Sequence, residues 1–259
     1  MNPVAPVKPF IARGSRIERC PRCLLGQRAC ICEYKIAGQA EACFVLLMHH
    51  NERFKPTNTG RLIADCFSDT KIFEWSRTEP APEFLQLLQD VRYQPYLVFP
   101  EGDDYQHRMV TYDGSQKRPL FILLDGTWRQ ARRMFRHSSY LQGLPVITLP
   151  ELPSSSRYHL RKAVEPGQLC TAEVAAELLA MIGDGVGAEV LMAYFEVFNE
   201  HYRAARLSRP LNEEMPAKGF LKQLLELASD VEHKGHGTII DQADLHVSPE
   251  AAAGDARVQ

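Results

Sequence analysis

Residues 119–134 read PLFILLDGTWRQARRM. The apolar run from Pro119 to Leu124 has the length and make-up of a buried strand, and Thr127 to His137 reads as a helix. A strand that stops at Asp125-Gly126-Thr127-Trp128 and restarts as a helix leaves side chains and free backbone N–H groups at the strand's carboxyl end. Open α/β sheets bind ligands at such a place. One acid, one hydroxyl, one indole and a ladder of arginines there suit a polyanion and a small ligand handled together. The plain alternative is an ordinary strand-to-helix turn capped by Asp125 or Thr127.

The rest of the chain alternates in the same way. Strands are expected at 43–48, 71–75, 96–99, 120–124 and 146–149. Helices are expected at 58–67, 83–91, 127–137, 171–182, 188–205 and 220–228. Strands interleaved with helices predict an α/β fold with a mainly parallel sheet covered by helices on both faces. Residues 101–116 read as a polar loop, and 150–168 as a longer irregular segment of functional length. Four regions result: a basic N-terminus at 1–19, a cysteine module at 20–40, an α/β domain at 41–229 and an acidic, disordered tail at 230–259.

Composition fits this picture. The chain has 259 residues and a 45% apolar fraction, enough for one sizeable core. No apolar segment is long enough to span a bilayer, and the N-terminus lacks the stretch of a secretory signal, so a cytoplasmic protein is expected. The net charge of −2 hides a strong asymmetry. Residues 1–35 hold seven Lys/Arg against two acids, whereas 211–259 hold four against nine. A basic working surface with an acidic tail elsewhere suits nucleic acid better than the average charge suggests.

Four of the seven cysteines fall at Cys20, Cys23, Cys30 and Cys32. Two short pairs separated by six residues bring four soft ligands together without a large core, as tetrahedral Zn²⁺ requires. A closed four-thiolate site has no open position, so its role is structural. Arg13, Arg16, Arg19, Arg22 and Arg28 surround it with positive charge. Free reduced thiols, or a redox pair at Cys20/Cys23, are the alternatives.

Further cations line two other segments. Arg129, Arg132, Arg133 and Arg136 fall at i, i+3, i+4 and i+7, one face of a helix without local acidic partners. Guanidinium groups meet phosphate oxygens bidentately, and here they follow directly on the Asp-Gly-Thr-Trp turn. A merely solvated face is the alternative. Residues 153–162, PSSSRYHLRK, put hydroxyls, guanidinium groups and a ring together as in a nucleotide cleft, or form a polar surface loop. Between the first strand and helix, His49, His50 and Glu52 could suggest a metal but lack an evident further ligand, and hydrogen bonding that holds the loop, or contact with RNA, is the preferred reading. Thr57 or Asn58 can cap the helix, with Thr59 and Gly60 in its first turn, while Arg61 contacts RNA or simply lies along the helix surface.

These motifs occur in the order found in the DTW-domain proteins, the tRNA-uridine aminocarboxypropyltransferases. They are the four-cysteine module, His49 with Glu52, Asn58-Thr59-Gly60-Arg61-Leu62, Asp125-Gly126-Thr127-Trp128, Ser156-Arg157-Tyr158 with Leu160-Arg161, and Thr171 with Glu173. The chain resembles that family over roughly residues 18–205, with His50 standing where a proline is usual. The resemblance implies a SPOUT-like fold with a knotted C-terminal half. It also implies S-adenosylmethionine as donor of its 3-amino-3-carboxypropyl group, N3 of a tRNA uridine as acceptor, and 5′-methylthioadenosine as by-product.

On that resemblance, Asp125, Thr127 and Trp128 form the catalytic set, with Asp125 either taking the N3 proton or orienting the donor's ammonium group. Leu124, Gly126, Thr127, Leu149, Pro150 and Thr171 hold the donor. Arg61, Arg129, Arg132, Arg133, Arg136, Arg157 and Arg161 hold tRNA. Membrane and protein partners are not expected. An RNA methyltransferase using the same donor, and a non-catalytic zinc-knuckle RNA-binding protein, are the rival readings.

Overall fold

Residues 43–48, CFVLLM, are apolar at every position, and as strand β1 (Cys43–Met48) all six are buried. Such a run is the mark of a strand covered on both faces. Alternate side chains point to opposite sides. Phe44, Leu46 and Met48 join one core, and Cys43, Val45 and Leu47 join the other. This computed structural model describes residues 17–114, 116–149, 157, 158, 160 and 169–233.

The remaining strands are β2 (Lys71–Glu74), β3 (Tyr93–Val98), β4 (Met109–Val110), β5 (Arg118–Asp125) and β6 (Val146–Ile147). They form one six-stranded sheet of order β2-β1-β5-β3-β6-β4 in which every pairing is parallel. The helices are α1 (Gly60–Cys66), α2 (Pro82–Leu88), α3 (Trp128–His137), α4 (Thr171–Met181), α5 (Gly185–Leu207) and α6 (Pro216–His233). Residues of α1, α4, α5 and α6 cover one face and residues of α2 and α3 the other, as the alternation predicted.

Several boundaries differ from expectation. Strand β3 starts before Pro95, where a break was expected. Leu97 and Phe99 donate their N–H groups toward β6, so the side of Pro95 that lacks an N–H faces the same way. Strand β6 begins only opposite Leu97, so no ladder bond is lost. The polar segment 101–116 carries a 3₁₀ turn (Asp103–Arg108) and strand β4, which completes the sheet edge. Helix α5 starts at Gly185 rather than Ala188, because Asp184 caps it by accepting the Gly187 N–H at 2.8 Å. A Cβ on Gly187 would lie 2.7 Å from that carboxylate, so glycine is required there. Helix α6 runs past residue 230, where the acidic tail was expected to begin.

The cysteine segment packs into the main core rather than beside it. Cys20, Cys23, Leu25, Ile31 and Tyr34 are buried in the cluster that contains α4 and α5. His201 of α5 meets the Tyr34 ring edge-on at 5.7 Å, and its Nδ1 lies 3.4 Å from the Ala29 carbonyl. The ammonium groups of Lys218 and Lys222 on α6 sit 5.6 and 5.5 Å from the centre of the same ring. Among the described residues no helix is long and apolar enough to cross a membrane.

The chain leaves β1 toward β2 and leaves β5 in the other direction, toward β6. The strand order therefore reverses between β1 and β5, and a crevice opens at their carboxyl ends.

Candidate functional site

Strands β1 and β5 end in register, Met48 opposite Asp125, and the His49 N–H donates to the Asp125 carbonyl at 2.9 Å. The Asp125 side chain is buried at the base of the crevice. Its Oδ2 accepts from Asn58 Nδ2 at 2.6 Å and its Oδ1 from Thr171 Oγ1 at 2.8 Å. Asn58 lies just before α1 and Thr171 is the first residue of α4, so two helix N-termini converge on one carboxylate. Their positive ends favour negative charge there. A Cβ on Gly60 would stand 2.7 Å from Asp125 Oδ2, which explains the Asn58-Thr59-Gly60 sequence.

Asn58 also accepts the Arg61 N–H, while Arg61 donates through Nη2 to the Lys55 carbonyl at 2.8 Å and through Nε to the Asn58 carbonyl at 3.3 Å. The structure thus places Arg61, expected on RNA, inside the loop that presents Asn58. Within that loop Glu52 is fully buried and takes the Lys55 ammonium.

Thr127 is the N-cap of α3 in a capping box. Its N–H and hydroxyl both donate to Gln130 Oε1 at 2.8 Å, and the hydroxyl accepts the Gln130 N–H at 3.3 Å. With Oε1 so engaged, the Gln130 amide turns its NH₂ toward His49 Nδ1, 3.1 Å away. His49 stacks on Trp75 with ring centres 5.9 Å apart. Burial holds the His49 imidazole below its ordinary value; Glu52 opposes this, and Lys55, His50 and Arg133 add to it. A neutral ring with Nδ1 as acceptor carries its proton on Nε2. Sequence reasoning noticed His49 but missed this chain, because it requires β1, β2 and α3 to meet.

Trp128 is half-buried in the first turn of α3, and Gly126 lies beside His49 and Gln130. The Leu124 and Leu149 side chains pack against the two cores on opposite faces of the sheet. Arg129, Arg132, Arg133 and Arg136 are all exposed, while Ala131, Met134 and Phe135 bury the other face of α3. Arg157 is exposed and pairs with Glu196 at 3.3 Å. Its N–H donates to buried Glu173, which also accepts the Cys170 N–H at 2.8 Å and so fixes the start of α4. Tyr158 donates its hydroxyl to the Thr57 carbonyl, tying this segment to the Asn58 loop. Pro150, Ser154–Ser156 and Arg161 lie outside the described residues.

The four cysteine sulfurs lie within 4.8 Å of one another. Cys20 and Cys32 Sγ are 3.7 Å apart, and Cys23 and Cys30 Sγ 3.8 Å. A tetrahedron with Zn–S bonds of about 2.3 Å has edges of about 3.8 Å. Backbone N–H groups of Cys23 and then Arg22 bring the Cys20 thiol down to about 6, against the opposing effect of burial. The donor set and its spacing fit Zn²⁺.

The DTW domain family matches residues 17–203. This chain belongs to that family. The match begins at the cysteine module, takes in the Asp125 crevice and ends within α5, so α6 lies outside it. The DTW chain is 25% identical over 186 residues to "tRNA-uridine aminocarboxypropyltransferase 2" of Macaca fascicularis, covering 70% of this chain and 59% of that protein. It is 24% identical over 178 residues to the protein of the same name from Mus musculus, covering 66% and 59%. The chain thus spans about three fifths of the length of these curated relatives. No solved structure matches it significantly.

Proposed function

We propose that this DTW protein transfers the 3-amino-3-carboxypropyl group of S-adenosylmethionine to N3 of a uridine in tRNA. The observation that carries the proposal is the buried Asp125 carboxylate, clamped by Asn58 and Thr171 at the crevice from which α3, with its exposed arginines, begins. Family membership and the names of the relatives support it. Within this reading the parallel sheet is SPOUT-like, with a knotted C-terminal half.

The bound donor supplies a sulfonium-activated carbon: N3 forms a bond to it as the C–S bond breaks, the electron pair stays on sulfur, and 5′-methylthioadenosine leaves. N3 must also release its proton. Asp125 has two roles open to it, receiving that proton or orienting the donor's ammonium group. Hydrogen bonds donated to both its oxygens favour the second, since they fix it as a pre-positioned negative charge. Thr171, held against Asp125, and the Gly126 backbone border the same space. Thr127 contributes through its cap, which sets Gln130 and thereby His49. Trp128 offers a half-buried ring for adenine or the target base. Arg129, Arg132, Arg133, Arg136 and Arg157 supply phosphate contacts. The four cysteines hold structural Zn²⁺.

Mass spectrometry of nucleosides from tRNA incubated with the protein and S-adenosylmethionine tests the proposal. Aminocarboxypropyl-uridine together with methylthioadenosine supports it. S-adenosylhomocysteine with a methylated base would establish the methyltransferase instead. Absence of donor binding in calorimetry would leave a zinc-knuckle RNA-binding protein.

A further inference from the structure

Phe54 is 66% exposed, although it sits on a loop whose other members are tied down. Glu52 and Asn58 are buried on either side of it, and Arg61 donates to the loop's carbonyls from within. The loop is therefore built to hold its shape while presenting a phenyl ring to water. An exposed ring gains nothing for the fold, because a large apolar side chain stabilises only by leaving solvent.

One guanidinium and one imidazole flank the ring. The Arg53 guanidinium stands 5.3 Å from the ring centre, and the His50 ring meets it edge-on at 6.2 Å. Both flanking groups are anchored to one acid at the end of β2: His50 Nδ1 lies 2.9 Å and Arg53 Nη1 3.6 Å from the Glu74 carboxylate. One residue before His50, His49 Nδ1 lies 3.1 Å from the Gln130 amide of α3. The Phe54 loop is thus joined through His49 to α3, the helix that carries the exposed arginines. A protein-docking hot spot is centred on a patch depleted of charge, whereas this ring lies beside the Arg53–Glu74 pair. An aromatic face beside a cationic track is what binds unpaired bases with their phosphates.

We propose that Phe54, braced by Arg53 and His50, is a stacking platform for an unpaired base in the RNA loop that carries the target uridine. The platform rests on the tRNA-modifying role proposed above and extends it: the substrate is engaged as splayed single strand outside the Asp125 crevice. Stacking adds affinity without neutralising a phosphate, so its loss weakens binding without altering the salt dependence.

The test is fluorescence anisotropy of labelled tRNA and labelled oligouridine with the wild-type protein, Phe54→Ala and Phe54→Trp across a salt series. Phe54→Ala is expected to weaken binding roughly tenfold, with an unchanged log–log salt slope. Phe54→Trp is expected to bind at least as tightly as wild type, with its added indole fluorescence quenched on binding. S-adenosylmethionine affinity should be the same in all three proteins, which also reports that they are folded. Wild-type affinity for RNA in Phe54→Ala, or an unquenched Phe54→Trp, overturns the platform while leaving the transferase reading intact. Failure of the wild-type protein to bind RNA at all overturns both.

Discussion

Thr171 and Asp125 are 46 positions apart in the chain, yet Thr171 Oγ1 donates to Asp125 Oδ1 at 2.8 Å. The bond joins the end of the central strand β5 to the first residue of α4 across the crevice. With Asn58 on the other oxygen, it fixes where negative charge stands in the mouth.

Replacing Asp125 by Asn removes that charge while keeping its shape. Turnover is expected to fall about 100-fold, the scale of a lost pre-organised electrostatic contact. Calorimetry then separates the two roles. A raised Kd for S-adenosylmethionine marks Asp125 as the orienting charge, whereas an unchanged Kd with the same loss of turnover assigns it the N3 proton. Affinity for tRNA should not change.

Gly60→Ala sets a methyl group 2.7 Å from Asp125 Oδ2, with the Asp125 Cγ at 3.0 Å. The carboxylate must move, and overpacking of this kind costs about 1–3 kcal/mol. A lowered urea midpoint together with loss of transferase activity is expected. Full activity at wild-type stability would mean that the carboxylate does not pack against Gly60.

The arginine face of α3 yields to a salt titration. Arg129→Ala and Arg133→Ala should each lower the log–log salt slope of tRNA binding by roughly 1. Neither should change the melting temperature much, since both side chains are exposed. Slopes identical to wild type would remove the ridge from the RNA interface.

On the proposal that the four cysteines hold Zn²⁺, removing it should loosen more than the cysteine loop. Ala29 lies between Cys23 and Cys30 and Tyr34 just after Cys32; both meet His201, and Tyr34 also meets the lysines of α6. Metal binding that orders such a segment contributes several kcal/mol of folding free energy. Chelation, or Cys23→Ser, is expected to lower the melting temperature and to release or exclude one equivalent of zinc by elemental analysis.

Acid should weaken the fold through His201. Burial, with Lys218 nearby, holds its imidazole below the ordinary value, so the unfolded state binds its proton first as pH falls. The stability associated with neutral His201 is complete above the unfolded value of about 6.5 and is lost as pH drops below it. Urea midpoints between about pH 7 and about pH 5.5 should therefore fall less steeply in His201→Leu than in wild type. Equal slopes would show that His201 titrates normally.

Local pattern and spacing were enough to establish much of this molecule. An unbroken apolar β1, the strand-to-helix switch after Asp125 and the period of the α3 arginines each follow from contacts between residues close in sequence. The four cysteines, within 13 residues, are likewise brought together by their own short turns. The parallel sheet with both faces covered, the exposed arginine face and the clustered thiols could therefore be read from the chain.

Only the tertiary structure decided what those pieces do to one another. Pro95 sits inside β3 because β6 starts too late to need its N–H, a matter of neighbouring strands rather than of propensity. Arg61, a cation in the sequence, is turned inward by the carbonyls of its own loop. Thr127 proves to be a cap whose reach extends through Gln130 to His49. Asp125 meets Asn58 and Thr171 from 67 and 46 positions away. Hydrogen bonds over such separations form only once packing has closed the intervening chain, so no local pattern of residues carries their geometry.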